Sequence, residues 1–372
     1  MQRRVQSVEV HPEQAPILIA AALDGSGPAL APLRPGAEPF TAVVDDAVAL
    51  VVTTSGSTGE PRRVLLDAAA LRASAEATHA RLGGPGRWLL TLPLHHVAGL
   101  QVVVRSLLAG YDPMAAPAGD PEATARLLRT LPPERRPRYA SVVPTQLHRI
   151  ARLEEPSLAA WRDLDAILVG GAATPPALLE RVRGLGLRVV TTYGATETAG
   201  GCVYDGVPLA GVRVRFDGVP LSGVIHLAGP TLARGYLSGP FPLHDGVPWF
   251  RTGDLGELRD GVLHVHGRAD DVIITGAVKV SPVAVEAVLA ELPGVAEVCV
   301  VGVPDPEWGQ QVVAVLVPSG RAPSLDEARE AVRRTLGVAA APRRLVLASA
   351  LPERGPGKVD RVAVAELAAV GD

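Results

Sequence analysis

The chain of 372 residues is poor in aromatic side chains, in cysteine and in long apolar runs. Phe, Trp and Tyr together make up 3% of it, so its cores must be filled mainly by Ala, Val and Leu. Its two cysteines, Cys202 and Cys299, lie far apart with no Cys or His near them at ligand spacing. That excludes a disulfide framework and argues against a structural zinc site. Charge of one sign is not concentrated anywhere: 36 basic and 39 acidic residues are well mixed and leave a net charge of −3. Neither a basic footprint for nucleic acid nor an acidic solvating arm is present. The opening MQRRVQSVEVHPEQAP has basic residues but no apolar h-region after it, and the following PILIAAAL is too short for a membrane span. These absences predict a cytoplasmic protein with no stable membrane insertion and no nucleic-acid partner, a monomer or homodimer.

What the chain has in excess is glycine (39) and proline (34). They stay below the level that signals disorder and read as many turns around a compact fold. At this length two domains are expected. AVALVV (47–52), WLLTL (88–92), SVVP (141–144), AILVGGA (166–172) and LRVVTTYG (187–194) read as buried strands. Between them lie helical patterns: one carrying Leu71, Ala75, Thr78 and Leu82, one from about Gly99, and PPALLERVRGLG with proline first and glycine last. Alternating strands and helices predict a layered α/β fold with largely parallel sheets, whose ligand sites lie at the carboxyl ends of the strands. From about residue 205 shorter strands and DG or SG turns predict a small antiparallel, β-barrel-like unit. After HGRADD a compact α+β segment follows. The expected division is an N-terminal domain over 1–269 and a small mobile C-terminal domain over 270–372.

Six polar, glycine-rich loops interrupt these elements. In TTSGSTGEPRR (53–63) Gly56 and Gly59 permit close backbone approach, hydroxyls can donate to phosphate oxygens, and Arg62 and Arg63 supply charge. Alone it reads equally as a solvated linker, and it is not a Walker A sequence. LPLHHVAGL (92–100) carries two adjacent histidines, which on a helix would point apart and could not share a metal. In YGATETAGG (193–201) an aromatic can stack on a base, while Thr196 and Glu197 offer hard oxygen ligands of the kind Mg²⁺ takes beside a triphosphate. FRTGDLGEL (250–258) sets Asp254 between glycines, on a turn where it could take two ribose hydroxyls. HGRADDVIITG (266–276) alone is a charged linker, and LPERGPGKVDR (351–361) places a lone Lys358 on a mobile loop.

Each loop is ambiguous alone; their order is not. TSGSTGEPR, LPLHH, YGATE, RTGD, GRADD and PERGPGKVDR follow one another across nearly the whole chain, which resembles the adenylate-forming superfamily of acyl-CoA synthetases, aryl-acid ligases and peptide-synthetase adenylation domains. The resemblance implies an ATP-dependent ligase using Mg²⁺, ATP, CoA and a small-molecule carboxylic acid. By match of position, Thr54, Ser55, Gly56, Ser57, Thr58 and Gly59 would hold the β- and γ-phosphates, with Arg62 where most relatives have lysine. Gly170, Gly171 and Ala172 would line the adenine pocket with Tyr193 and Gly194. Thr196 would contact the α-phosphate, and Glu197, with Thr58, would hold Mg²⁺. Asp254 would take the ribose hydroxyls beside Arg268, Asp270 would be the hinge, and Lys358 would bridge the acid carboxylate and the α-phosphate. The stretch TGAVKV departs from commoner variants, so Lys279 has no implied role.

The chain is short for this superfamily, with its phosphate loop beginning at residue 53. That layout, with LPLHHVAGLQVVVRSLLAG, SVVPTQL and YGATETAGGCVYDGVPL, resembles the actinobacterial o-succinylbenzoate–CoA ligases of menaquinone biosynthesis. Such a substrate has two carboxylates, and the one not activated needs a cation or donors when buried. Arg105, inside the apolar run VVVRSLLAG, is the expected partner; the alternative is a structural ion pair. His96, Thr145, Gly200 and Gly201 would shape the rest of the acyl pocket. Three rivals remain at this point: a ligase for another aryl or short-chain acid, an adenylating enzyme with a carrier-protein acceptor, and a non-catalytic nucleotide-binding relative.

Overall fold

The computed structural model describes residues 2–55, 61–117, 119–131, 137–217, 221–355 and 358–370. Two seven-stranded sheets form its larger part. The first runs, in spatial order, Gly239–Pro240, Gly235–Tyr236, Pro61–Asp67, Val48–Ser55, Ala29–Pro32, Gln2–Val8 and Val43–Asp45. The second runs Val207–Pro208, Gly200–Tyr204, Val189–Ala195, Ala166–Val169, Arg138–Val142, Arg87–Leu90 and Met114–Ala115. Its five strands from Val189–Ala195 to Met114–Ala115 are all parallel, as the alternating pattern predicts. The proline-marked helix is also found, at Pro176–Gly184. The pattern places one strand slightly wrong: SVVP is the end of Arg138–Val142, and Pro144 already opens the helix Pro144–Ile150, because a proline fits a first helical turn better than a ladder.

The helices Ala68–Leu82 and Val97–Leu108 lie between the two sheets. Their residues Leu71, Ala75, Leu100 and Val102 to Val104 share one core with Leu50, Val52 and Leu66 of the first sheet and Trp88, Leu168 and Tyr204 of the second. Asp67 starts the first helix by accepting the amide of Ala70 at 2.7 Å, a cap worth about 1 kcal/mol, and Gly83 ends it in the left-handed region (φ 96°). Val97–Leu108 is apolar on nearly every side because both sheets press on it. On the outer face of the second sheet a separate core, with Leu147, Trp161, Ile167 and Val182, seats the helices Pro121–Thr130, Pro144–Ile150, Ser157–Arg162 and Pro176–Gly184.

The antiparallel unit is the four-stranded sheet Arg213–Phe216, Ser222–Ala228, Phe250–Arg259 and Val262–Arg268. Ile225, Leu227 and Leu263 pack it on Cys202 and Val203 of the second large sheet. The next strand is Ile273–Thr275, in a sheet with Val278–Val280, Val295–Asp305, Gly309–Pro318 and Arg344–Leu347, flanked by helices Pro282–Ala290, Leu325–Leu336 and Arg361–Val370. Among the described residues no helix is long and apolar enough to cross a membrane.

Candidate active site

The 53–63 stretch is the end of an antiparallel hairpin: Thr53, Thr54 and Ser55 pair with Arg63, Arg62 and Pro61. Gly56, Ser57, Thr58 and Gly59 lie outside the described residues, and of Ser55 only the backbone is described. Thr54 Oγ1 donates to Arg62 O at 3.3 Å, so the two arms are stitched together just before that tip.

The YGATE stretch lies at the carboxyl end of Val189–Ala195. It forms a one-turn 3-10 segment, Thr196–Thr198, and returns as Gly200–Tyr204, strand to strand. A Cβ on Gly194 would lie 2.3 Å from Gly200 O, so only glycine lets the two arms close. Ala199 sits in the left-handed region (φ 52°), and its carbonyl accepts from Gln101 Nε2 (2.8 Å) and Ser74 Oγ (3.1 Å). Two buried donors on the two central helices thus hold the turn that carries Thr196 and Glu197. Gln101 and Ser74 carried no signal in the sequence, since each looks like an ordinary polar residue of a helical pattern.

Glu197 is 8% exposed, and its carboxylate has no cationic partner among the described residues. One oxygen, Oε1, accepts from Tyr236 OH at 2.9 Å. An enclosed carboxylate without a counter-charge suits a hard divalent cation. The described residues hold no cluster of three or more metal-ligating side chains, so such an ion would draw its other ligands from phosphate and water, as Mg²⁺ does.

Asp254 lies inside the strand Phe250–Arg259 rather than on a turn; Gly253 (φ 80°) kinks that strand just before it. Tyr193 OH donates to Asp254 Oδ2 at 2.8 Å, and Arg268 Nη1 stands 3.7 Å from Oδ1. Burial raises the Asp254 carboxyl above the usual range, against the pull of Tyr193 and Arg268. The Tyr193 phenol is pushed up by burial and then by Asp254, so it stays a donor. Arg268 also reaches Asp270 Oδ2 at 3.4 Å, joining the ribose candidate to the hinge candidate. Gly170 follows the strand Ala166–Val169, and a Cβ there would meet Thr192 Oγ1 at 2.2 Å; Gly171 (φ 86°) and Ala172 continue into the exposed turn.

His95 and His96 precede the helix instead of lying on it. His96 is extended at the cap position, and the two rings are 4.3 Å apart, so the sequence argument that they point away from each other fails. Gly99 explains the tight helix start: a Cβ would fall 2.3 Å from Pro93 O. Thr145 stands in the first turn of Pro144–Ile150, whose Gln146 ties Val143 N to Thr91 O. Gly200 (φ 98°) faces Gln101, and a Cβ on Gly201 would meet Thr192 and Tyr204.

Arg105 is 4% exposed and belongs to no ion pair among the described residues. Its guanidinium lies 4.8 Å from the Trp88 ring centroid, Nη2 donates to Tyr204 OH at 3.3 Å, and Nε has no partner. The structural ion pair offered as the alternative for this residue is absent there. Burial and then the Arg105 charge lower the neighbouring His79 to about 4, so that ring is neutral at neutral pH and adds no second charge beside Arg105. Lys358 opens the strand Lys358–Val359, which pairs with Glu353–Gly355; only its backbone is described.

Family models match two stretches of this chain. One described as AMP-binding enzyme matches residues 2–237, and one described as AMP-binding enzyme C-terminal domain matches residues 284–358. The chain belongs to the AMP-binding enzyme family. It is 47% identical over 330 residues to a probable 2-succinylbenzoate–CoA ligase of Mycobacterium tuberculosis, covering 86% of this chain and 85% of that one. It is 32% identical over 341 residues to the 2-succinylbenzoate–CoA ligase of Bacillus licheniformis, covering 86% and 70%. Among solved structures it is similar to o-succinylbenzoate CoA synthetase from Bacillus subtilis in complex with its acyl-adenylate intermediate (TM-score 0.73, 27% identity, 89% and 72% covered). It is also similar to the amide bond synthetase McbA from Marinactinospora thermotolerans (TM-score 0.77, 28% identity, 90% and 72% covered).

Proposed function

We propose that this chain is an AMP-forming acid–thiol ligase that activates o-succinylbenzoate and passes it to CoA, a step of menaquinone biosynthesis. A carboxylate is a poor electrophile, so it must first be joined to a good leaving group. Its oxygen attacks the α-phosphorus of ATP, the bond from that phosphorus to the bridging oxygen breaks, and pyrophosphate leaves. The CoA sulfur then attacks the acyl carbon, the bond to the phosphate oxygen breaks, AMP leaves and the thiol proton passes to solvent.

The observation that supports this reading is that Glu197 is bonded to Tyr236, on the strand beside the arm that carries Arg62, while Tyr193 of the same YGATE stretch is bonded to Asp254. In the proposed site Thr54 to Gly59 and Arg62 receive the β- and γ-phosphates. Gly170, Gly171, Ala172, Tyr193 and Gly194 form the adenine side, and Asp254 with Arg268 takes the ribose. Thr196 meets the α-phosphate, and Lys358 the reacting carboxylate. Bound Mg²⁺ supplies positive charge against the triphosphate; Glu197 and Thr58 would hold it. His96, Thr145, Gly200 and Gly201 border the acyl group. Arg105 would take the second carboxylate, which supplies the anion that no described side chain provides. Residues 1–269 and 270–372 form the two units, hinged at Asp270. The reading is tested by acid-dependent pyrophosphate release. With Mg·ATP and a panel of acids, o-succinylbenzoate should drive release at least tenfold faster than benzoate, salicylate or short fatty acids. Equal rates across the panel would remove the proposed substrate.

A further inference from the structure

Glu197 does not stand alone. Tyr236, which no motif singles out, donates its hydroxyl to Glu197 Oε1 at 2.9 Å, while Oε2 has no partner among the described residues. Tyr236 belongs to the short strand Gly235–Tyr236, which pairs with Pro61–Asp67, the arm that leaves the phosphate-loop tip; Tyr236 sits opposite Val64. Its ring is gripped from two sides. The Arg62 guanidinium is 5.6 Å from its centroid, and Phe241 meets it edge-on at 5.3 Å and 84°. The hairpin presenting it is tight: a Cβ on Gly235 (φ 140°) would lie 2.6 Å from Gly239 O. Three residues earlier, Ala233 N donates to Glu197 O at 2.8 Å, so the same segment holds both the backbone and the carboxylate of Glu197.

We propose that Tyr236 is a positioning residue for Glu197: it fixes Oε1, turns Oε2 toward the divalent cation that accompanies ATP, and locks that carboxylate to the strand leaving the phosphate loop. The proposal rests on Glu197 being the metal-holding carboxylate. Partners that orient a metal ligand typically cost about 10–100-fold in metal affinity when removed. Tyr236→Phe keeps the ring and its Phe241 contact and deletes the hydroxyl, which donates to Glu197 and also faces Arg62.

The test uses the full-length enzyme with ATP and no acid, and reads Mn²⁺ binding by electron paramagnetic resonance. Tyr236→Phe should raise the Mn²⁺ dissociation constant roughly tenfold, toward the larger loss of Glu197→Gln. In parallel, thioester formation from supplied acyl adenylate and CoA, which involves no triphosphate, should stay within about twofold of wild type. Unchanged Mn²⁺ binding in Tyr236→Phe, with weakened binding in Glu197→Gln, would overturn the proposal and leave the Glu197 reading standing. Unchanged binding in Glu197→Gln would overturn both. A loss of thioester formation in Tyr236→Phe as large as its loss of Mn²⁺ binding would show general disruption and also overturn it.

Discussion

Lys358→Ala should slow acyl-adenylate formation by about 10²–10³-fold, the scale of losing one preorganised charge from a transition state. Thioester formation from supplied acyl adenylate should change by less than about threefold, because no charge then builds on a leaving pyrophosphate. The local structure suits a lysine that serves one half-reaction. The Lys358 strand is two residues long and follows Gly355 and Gly357 in the sequence, a short arm. The base of that arm is fixed. Arg361, three residues on, meets Asp271 at 3.2 Å and Glu286 at 2.8 Å and donates to Val300 O at 2.8 Å. Asp271 adjoins the proposed hinge at Asp270, so hinge and lysine arm are tied to one framework. The chain has just two lysines, and the other, Lys279, is exposed on the strand Val278–Val280; Lys279→Ala is the matched control. Single-turnover measurement of each half-reaction decides the point. Equal losses in both would show that Lys358 supports the fold rather than adenylation.

Arg105→Met should raise KM for o-succinylbenzoate by about 10–100-fold, the worth of a hydrogen bond to a charged group, roughly 1.5–3 kcal/mol. KM for benzoate should stay within about twofold, since that acid has no second carboxylate to lose. The same variant should keep or raise the melting temperature. Loss of the Trp88 stack and the Tyr204 hydrogen bond costs roughly 1 kcal/mol each. Release from burying an unpaired cation returns several kcal/mol on the scale of buried ions. A thermal melt beside the KM ratio therefore separates the two roles. A lower melting temperature with the KM ratio unchanged would make Arg105 a core residue and remove it from the acyl pocket.

The layered fold was legible because its signals are local. Continuous apolar runs marked the parallel strands, and a leading proline marked the start of Pro176–Gly184. The loops were legible through composition and order. What stayed hidden depends on contacts distant in sequence. Tyr236 meets Glu197 across 39 positions, Gln101 meets Ala199 O across 98, and Tyr193 meets Asp254 across 61. No spacing rule connects such pairs, because tertiary packing of helices and sheets brings them together. Short elements were also missed: Gln2–Val8 lacks an apolar run, and Arg344–Leu347 joins its sheet only through a parallel pairing with Gly309–Pro318. Asp254 was placed on a turn because glycines flank it, whereas Gly253 only bends a strand that continues to Arg259.

A chain that makes a CoA thioester from o-succinylbenzoate by way of an acyl adenylate has a distinct set of products. Mass spectrometry of the products from Mg·ATP and the acid, with and without CoA, tests it most directly. The expected products are acyl-AMP and pyrophosphate without CoA, and o-succinylbenzoyl-CoA with AMP when CoA is added. Adenylate and pyrophosphate with no thioester would contradict it and point to another acceptor.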